Sequence, residues 1–144
     1  MAGSVDPSRE QFDAFKALPR DTPIHMLNLI RLRPKAEYPV GHPDHGKDLT
    51  GLDAYRAYGR TTAHIFGRVG GRQVWVGKPE TVVTGPADER WDLAFIAEYP
   101  SAAAFLAMVT DPEYREMVKH RGAAVEDSRL IRMAPVEPGE GFGE

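Results

Sequence analysis

Residues 91–100 read WDLAFIAEYP, residues 101–128 read SAAAFLAMVTDPEYREMVKHRGAAVEDS, and residues 129–134 read RLIRMA. The first segment alternates as a strand, with Trp91, Leu93, Phe95, Ala97 and Tyr99 on one face. Asp92, Ala94, Ile96 and Glu98 fall on the other. Pro100 stops the strand, and Ser101 is placed to cap a helix. Within that helix Phe105, Met108 and Val109 share a stripe. Asp111-Pro112 interrupts it, with Pro112 suited to the first turn of a restarted helix. Tyr114, Met117, Val118 and Arg121 continue a face at helical spacing. Residues 129–134 are expected to be the last strand.

Upstream, the pattern repeats in kind. Residues 8–18 (SREQFDAFKAL) predict a short amphipathic helix through Phe12, Phe15 and Leu18. Residues 23–32 (PIHMLNLIRL) predict a strand. Ile24, Met26, Asn28 and Ile30 share one face; His25, Leu27, Leu29 and Arg31 share the other. Both faces are mainly apolar, the mark of a strand covered on both sides. Residues 33–49 (RPKAEYPVGHPDHGKDL) lack periodicity and predict a long loop. A helix opening at Thr50 or Asp53 runs to about Val69, with Leu52, Tyr55, Gly59, Thr62, Phe66 and Val69 inward, and Gly70-Gly71 ends it. Residues 72–84 predict a strand with a bulge or bend at Gly77-Lys78-Pro79.

The order β-α-β-β-α-β is the ferredoxin-like arrangement of an α+β fold, an antiparallel sheet with helices on one face. The expected division is a helical extension over 1–22, the domain over 23–134 and a mobile tail over 135–144. Two helices cover one sheet face. The apolar opposite face then calls for a second copy of the chain, so a homodimer is expected.

Composition narrows the function. The 144 residues contain no cysteine, which removes disulfides, thiolate nucleophiles and Cys-ligated metal centres. The formal net charge of −3 offers no basic field for nucleic acid. No apolar run approaches the roughly 20 residues that span a bilayer. MAGSVDPSREQF lacks the pattern of a signal peptide, so a cytoplasmic location is expected. There is no Gly-rich phosphate loop ahead of a helix and no GxSxG elbow.

AEYPS (97–101), DPEYR (111–115) and HRGAAVEDSRL (120–130) resemble the DUF1330 family of the dimeric α+β barrel superfamily. The resemblance spans roughly residues 23–134, with the 33–49 loop longer than many members have. It implies two four-stranded sheets facing each other across a two-fold axis, with helices outside. The wider superfamily includes quinone-forming monooxygenases, haem-degrading enzymes, lactone isomerases and proteins of no known activity; shared fold selects none of them.

Several side chains offer chemistry. Asn28, in a doubly covered strand, must be hydrogen-bonded, either structurally or to a ligand carbonyl or oxyanion. His64 and His120, at helix edges, are candidate general bases, set against surface or capping roles. Trp75 suits the sheet core or a dimer interface, with a substrate platform as the alternative, and Tyr55 and Tyr58, with Arg56, are candidates to line the mouth of a pocket between helix and sheet. Arg121 suits either a carboxylate clamp or an ion-pair network with Glu126 and Asp127. His42-Pro43-Asp44-His45 offers metal-binding side chains. Pro43 restricts its geometry and no third donor is evident, so no metal is expected there. The resemblance also brings haem-degrading enzymes to mind through Asn28, Trp75 and His120. His120 lies two residues beyond Val118, where that family's ligand is expected, and two residues turn a helical side chain by roughly 200°. No cofactor is therefore expected, haem included. The leading reading is a homodimer that binds a small aromatic or carboxylic metabolite. Its enzymatic version is a cofactor-independent monooxygenase or isomerase. A non-catalytic structural or regulatory dimer is the alternative, and a haem-degrading monooxygenase a further one.

Overall fold

The computed structural model describes residues 3–142. Its elements are α1 (Arg9–Ala17), β1 (Ile24–Leu32), α2 (Gly51–Arg68), β2 (Arg72–Gly77), β3 (Leu93–Tyr99), α3 (Ala102–Val109), α4 (Pro112–Ala124) and β4 (Val125–Met133). The strands form one four-stranded sheet in the order β2-β3-β1-β4, with antiparallel pairing throughout. This is the ferredoxin-like α+β fold.

Local chemistry sets the helix starts. Ser8 and Gln11 form a capping box on α1, and Thr50 and Asp53 form one on α2. The Ser101 side chain accepts the Ala104 N–H, so α3 begins where the sequence implies. Asp111 accepts the N–H groups of Glu113 and Tyr114, and Pro112 opens α4. Gly70, at φ 85°, takes the left-handed turn that ends α2.

Ile24, Met26, Ile30, Ala97 and Tyr99 point from the sheet toward the helices. Ile24, Met26, Ala97 and Tyr99 pack with Ile65, Ala102, Met108 and Tyr114. Ile30 packs instead with Ala54, Ala123, Ala124, Val125 and Tyr38, which fixes the 33–49 loop to the domain. The inward stripe of α2 matches the sequence expectation in part. Gly51, Ala54, Thr62 and Ile65 are its buried positions, Tyr55, Phe66 and Val69 pack partly buried against the core, and Leu52 and Gly59 are exposed.

The opposite sheet face is left without a covering layer by the described residues. Cross-strand register sets Trp75, Ile96, Leu27 and Ile131 in one row from edge to edge. Trp75 is 50% exposed and Ile131 46%. Beside this row, His25 Nε2 lies 2.9 Å from Glu98 Oε2, and Arg72 Nε donates to Glu98 Oε1 at 2.8 Å.

Three boundaries depart from the sequence expectations. β4 begins at Val125 rather than 129, directly after α4. Buried, β-branched Val125 pairs with Leu32, and the register shifts between Arg31 and Leu32. β2 ends at Gly77, and its bulge lies between Gln73 and Trp75 rather than at 77–79. β3 begins at Leu93, leaving Trp91 under the Arg129 guanidinium at 5.1 Å. Residues 134–140 carry no helix or strand. The expected tail reaches past residue 142, outside the described residues.

Candidate functional site

The 33–49 loop folds back over α2 and α4 and brings polar groups of distant sequence together. Ala36 N–H donates to Leu49 O at 2.9 Å, and Glu37 N–H to Ala123 O at 3.0 Å, so the loop is tied at its base. Tyr38, 7% exposed, enters the core with its hydroxyl 2.7 Å from His120 Nδ1 on α4. The His42 ring stacks on Tyr38 with centroids 4.5 Å apart and meets His120 edge-on at 5.5 Å. The Asp44 N–H donates to His42 Nδ1 at 3.0 Å. Lys47 Nζ donates to Asp44 Oδ1 at 2.8 Å.

His42, Asp44 and His120 each present a possible metal donor, and these atoms lie within 4.8 Å of one another. The sequence expectation of no metal rested on the restriction by Pro43 and on a missing third donor. The fold supplies one from α4, His120. Electrostatics suit lone-pair chemistry there. Burial, and then the neighbouring His42, lower the His120 pKa below its ordinary value. The Lys47 hydrogen bond is the main influence holding the Asp44 carboxyl below the usual range. A neutral His120 can take up a proton or a metal ion, one excluding the other.

Two cavities adjoin the loop. One, of about 410 Å3, lies between it and α2 and is lined by Tyr38, Asp44, Lys47, Asp53, Arg56 and Arg60 among others. The other is a cleft of about 800 Å3 where β1 and β2 end and α2 begins. Leu32, Leu52, Val76 and Leu93 give it an apolar floor, and Arg33, Arg56, Lys78 and Arg90 supply its cations. Arg33 is paired with Glu37 and Arg90 with Asp92. Among the described residues, Arg56 and Lys78 make no ion pair.

The other sequence-derived candidates are dispersed. Asn28 faces the helices, and its amide donates to Met26 O at 3.1 Å. Trp75 lies on the opposite face of the sheet, level with Ile96. His64 is exposed and lies 2.9 Å from Glu113. Arg121 donates to Val5 O at 2.6 Å and Ser128 Oγ at 3.3 Å, and is not paired with Glu126 or Asp127. Those acids pair with Arg31 and Arg129. Tyr55 stands beside Tyr58, whose hydroxyl meets that of Tyr114 at 2.7 Å, and burial raises the pKa of all three. Asn28, Trp75 and His120 therefore do not converge on one pocket. Sequence reasoning named Arg56 as a pocket-mouth residue and missed Tyr38 and Lys78. The EYP at 37–39, an aromatic inside a polar loop, was the available signal for Tyr38.

The chain matches the sequence model of a family described as Domain of unknown function (DUF1330) over residues 46–134. Two solved structures are similar over nearly its whole length. The crystal structure of the methylated RPA0582 protein is 56% identical, with a TM-score of 0.89, covering 97% of this chain and 100% of that one. That of the RPA0582 protein of unknown function from Rhodopseudomonas palustris is 56% identical, with a TM-score of 0.86, covering 94% and 99%. No curated protein matches the chain.

Proposed function

The chain belongs to the DUF1330 family, and on that premise we propose that it is a homodimeric binding protein for a small carboxylate with an apolar or aromatic body. One observation carries the ligand class. The cleft at the end of β1 and β2 joins an apolar floor to two cations, Arg56 and Lys78, that make no ion pair among the described residues. Ligand sites are largely apolar with a few placed polar groups, in cavities of about 300–1,000 Å3. Leu52, exposed on α2, has a use there that it lacks in the core. The guanidinium of Arg56 suits a carboxylate through its paired N–H groups. Trp75, Ile96, Leu27 and Ile131 form the surface through which the dimer would assemble.

A thermal-shift titration with benzoate, phenylacetate and 3-phenylpropionate tests the ligand class. A saturable rise in Tm, lost in Arg56→Ala and reduced in Lys78→Ala, is the expected result. No shift with any of the three, or a shift that both variants retain, defeats the reading.

A further inference from the structure

We propose that His42, Asp44 and His120 form a binding site for a late first-row divalent cation of the zinc class, closed by the 33–49 loop onto α4. Two imidazoles and one carboxylate are a donor set that this class takes, with further coordination positions left to water or an anionic ligand. The three residues are half-buried rather than solvated. They come from two elements held together by the core, since Tyr38 is buried among Ala54, Ala123, Ala124 and Val125. The donor atoms lie within 4.8 Å of one another, and tetrahedral zinc with bonds near 2.0–2.1 Å asks for roughly 3.3 Å. Closing that gap falls to the loop side of the site, which carries two of the three donors.

Outer contacts favour coordination at two of the three residues. The Tyr38 hydroxyl lies at His120 Nδ1, so it can accept the Nδ1–H and leave the Nε2 lone pair for the metal. An oxygen partner on the second ring nitrogen is the usual support of a metal-binding histidine. Lys47 takes Asp44 Oδ1, which leaves Oδ2. His42 requires an exchange. Its Nδ1 accepts the Asp44 N–H, so the ring proton is on Nε2, and metal uptake replaces that hydrogen bond with a coordinate bond. The site therefore tightens the loop by substitution at one contact and preserves the Tyr38–His120 contact. It uses none of the cations assigned to the carboxylate cleft.

The test uses untagged, chelator-treated full-length protein, titrated with Zn2+ by calorimetry and with Co2+ by visible absorption. Expected are one ion per chain and Co2+ d–d bands of a low-coordinate nitrogen–oxygen site. His42→Ala, Asp44→Asn and His120→Ala should each abolish the bands. Tyr38→Phe should weaken Zn2+ binding about 10- to 100-fold, the range for loss of an outer-sphere partner. His42→Ala and Asp44→Asn alter loop residues and serve if His120→Ala unfolds. Arg56→Ala should bind metal as the parent does, which separates this inference from the carboxylate reading. Absence of stoichiometric binding, or binding unchanged in His42→Ala and Asp44→Asn, overturns the proposal.

Discussion

The hydroxyl of Tyr38 lies 2.7 Å from Nδ1 of His120, and this one contact joins the middle of a long loop to the last turns of α4. The Tyr38 ring is buried with Ile30 and Ala124, while its hydroxyl is the polar handle. Tyr38→Phe keeps the packing and removes the hydrogen bond. A net loss of about 1 kcal/mol is expected, because one intramolecular hydrogen bond contributes roughly 0.5–1.5 kcal/mol. Urea denaturation at neutral pH, compared with the parent, is the measurement. Hydrogen exchange should also accelerate at His45 and Lys47, whose amides bond within the loop. Unchanged stability and exchange would mean that the contact does not hold the loop.

The row Trp75, Ile96, Leu27 and Ile131 predicts self-association through the sheet. Covering apolar surface contributes about 25 cal/mol per Å2, and uncovered rows of this extent are rare on monomers. Trp75→Glu and Ile131→Asp place charges at positions already half exposed in one chain, so each chain should still fold. Light scattering should give a dimer for the parent at micromolar concentration and a monomer for the double variant. A parent monomer, or a double variant that stays dimeric, would count against the sheet-to-sheet arrangement.

Much of the fold was legible because its signals are local. Pro100-Ser101 and Asp111-Pro112 each mark a boundary within one or two residues, and capping chemistry puts the helices there. Trp75 shows where local reading ends. Strict alternation would keep it on the face of Gln73, but the bulge between them turns it to the opposite face. Arg121 is similar: its partners are Val5 and Ser128, and only folding brings the N-terminal segment beside β4. The His42–Asp44–His120 cluster was hidden for the same reason. Two donors were visible in HPDH, and the third arrives through tertiary packing around Tyr38.

Glu98 gives the acid side of the stability profile. Hydrogen bonds from His25 and then Arg72 hold its carboxyl below the usual carboxylate range. A lowered folded pKa means that the unfolded chain binds the proton more readily. The contribution is therefore present above the unfolded carboxylate pKa and is lost as pH falls through the lower folded value. Glu98→Gln should cost stability at pH 7 and lose less than the parent on acidification. Urea midpoints measured from pH 7 to pH 3 should converge. Parallel curves for the two proteins would remove Glu98 from the acid response.

Gly51 and Gly59 lie in the same helix and should answer alanine with opposite signs. Gly51, the first residue of α2, is buried where the helix start meets the end of β1 and the end of α4. A Cβ there would collide with the carbonyl oxygen of Arg33 and come within 2.9 Å of Arg33 N and 3.0 Å of Ala124 O. All three are backbone atoms. Arg33 N–H already donates to Ala124 O at 2.8 Å, so the chain at the end of β1 and the end of α4 cannot move apart without losing that bond. Gly51→Ala should therefore destabilise by about 1–3 kcal/mol, the range for forcing extra volume into a packed site. Gly59 is exposed in mid-helix, with nothing within 4 Å of an added Cβ. There alanine removes the backbone-entropy cost of glycine, and Gly59→Ala should stabilise by roughly 0.8–1 kcal/mol. Denaturant midpoints for both variants, with m-values checked for constancy, decide the matter. A tolerated Gly51→Ala would show that β1, α2 and α4 do not meet as closely as the structure has them.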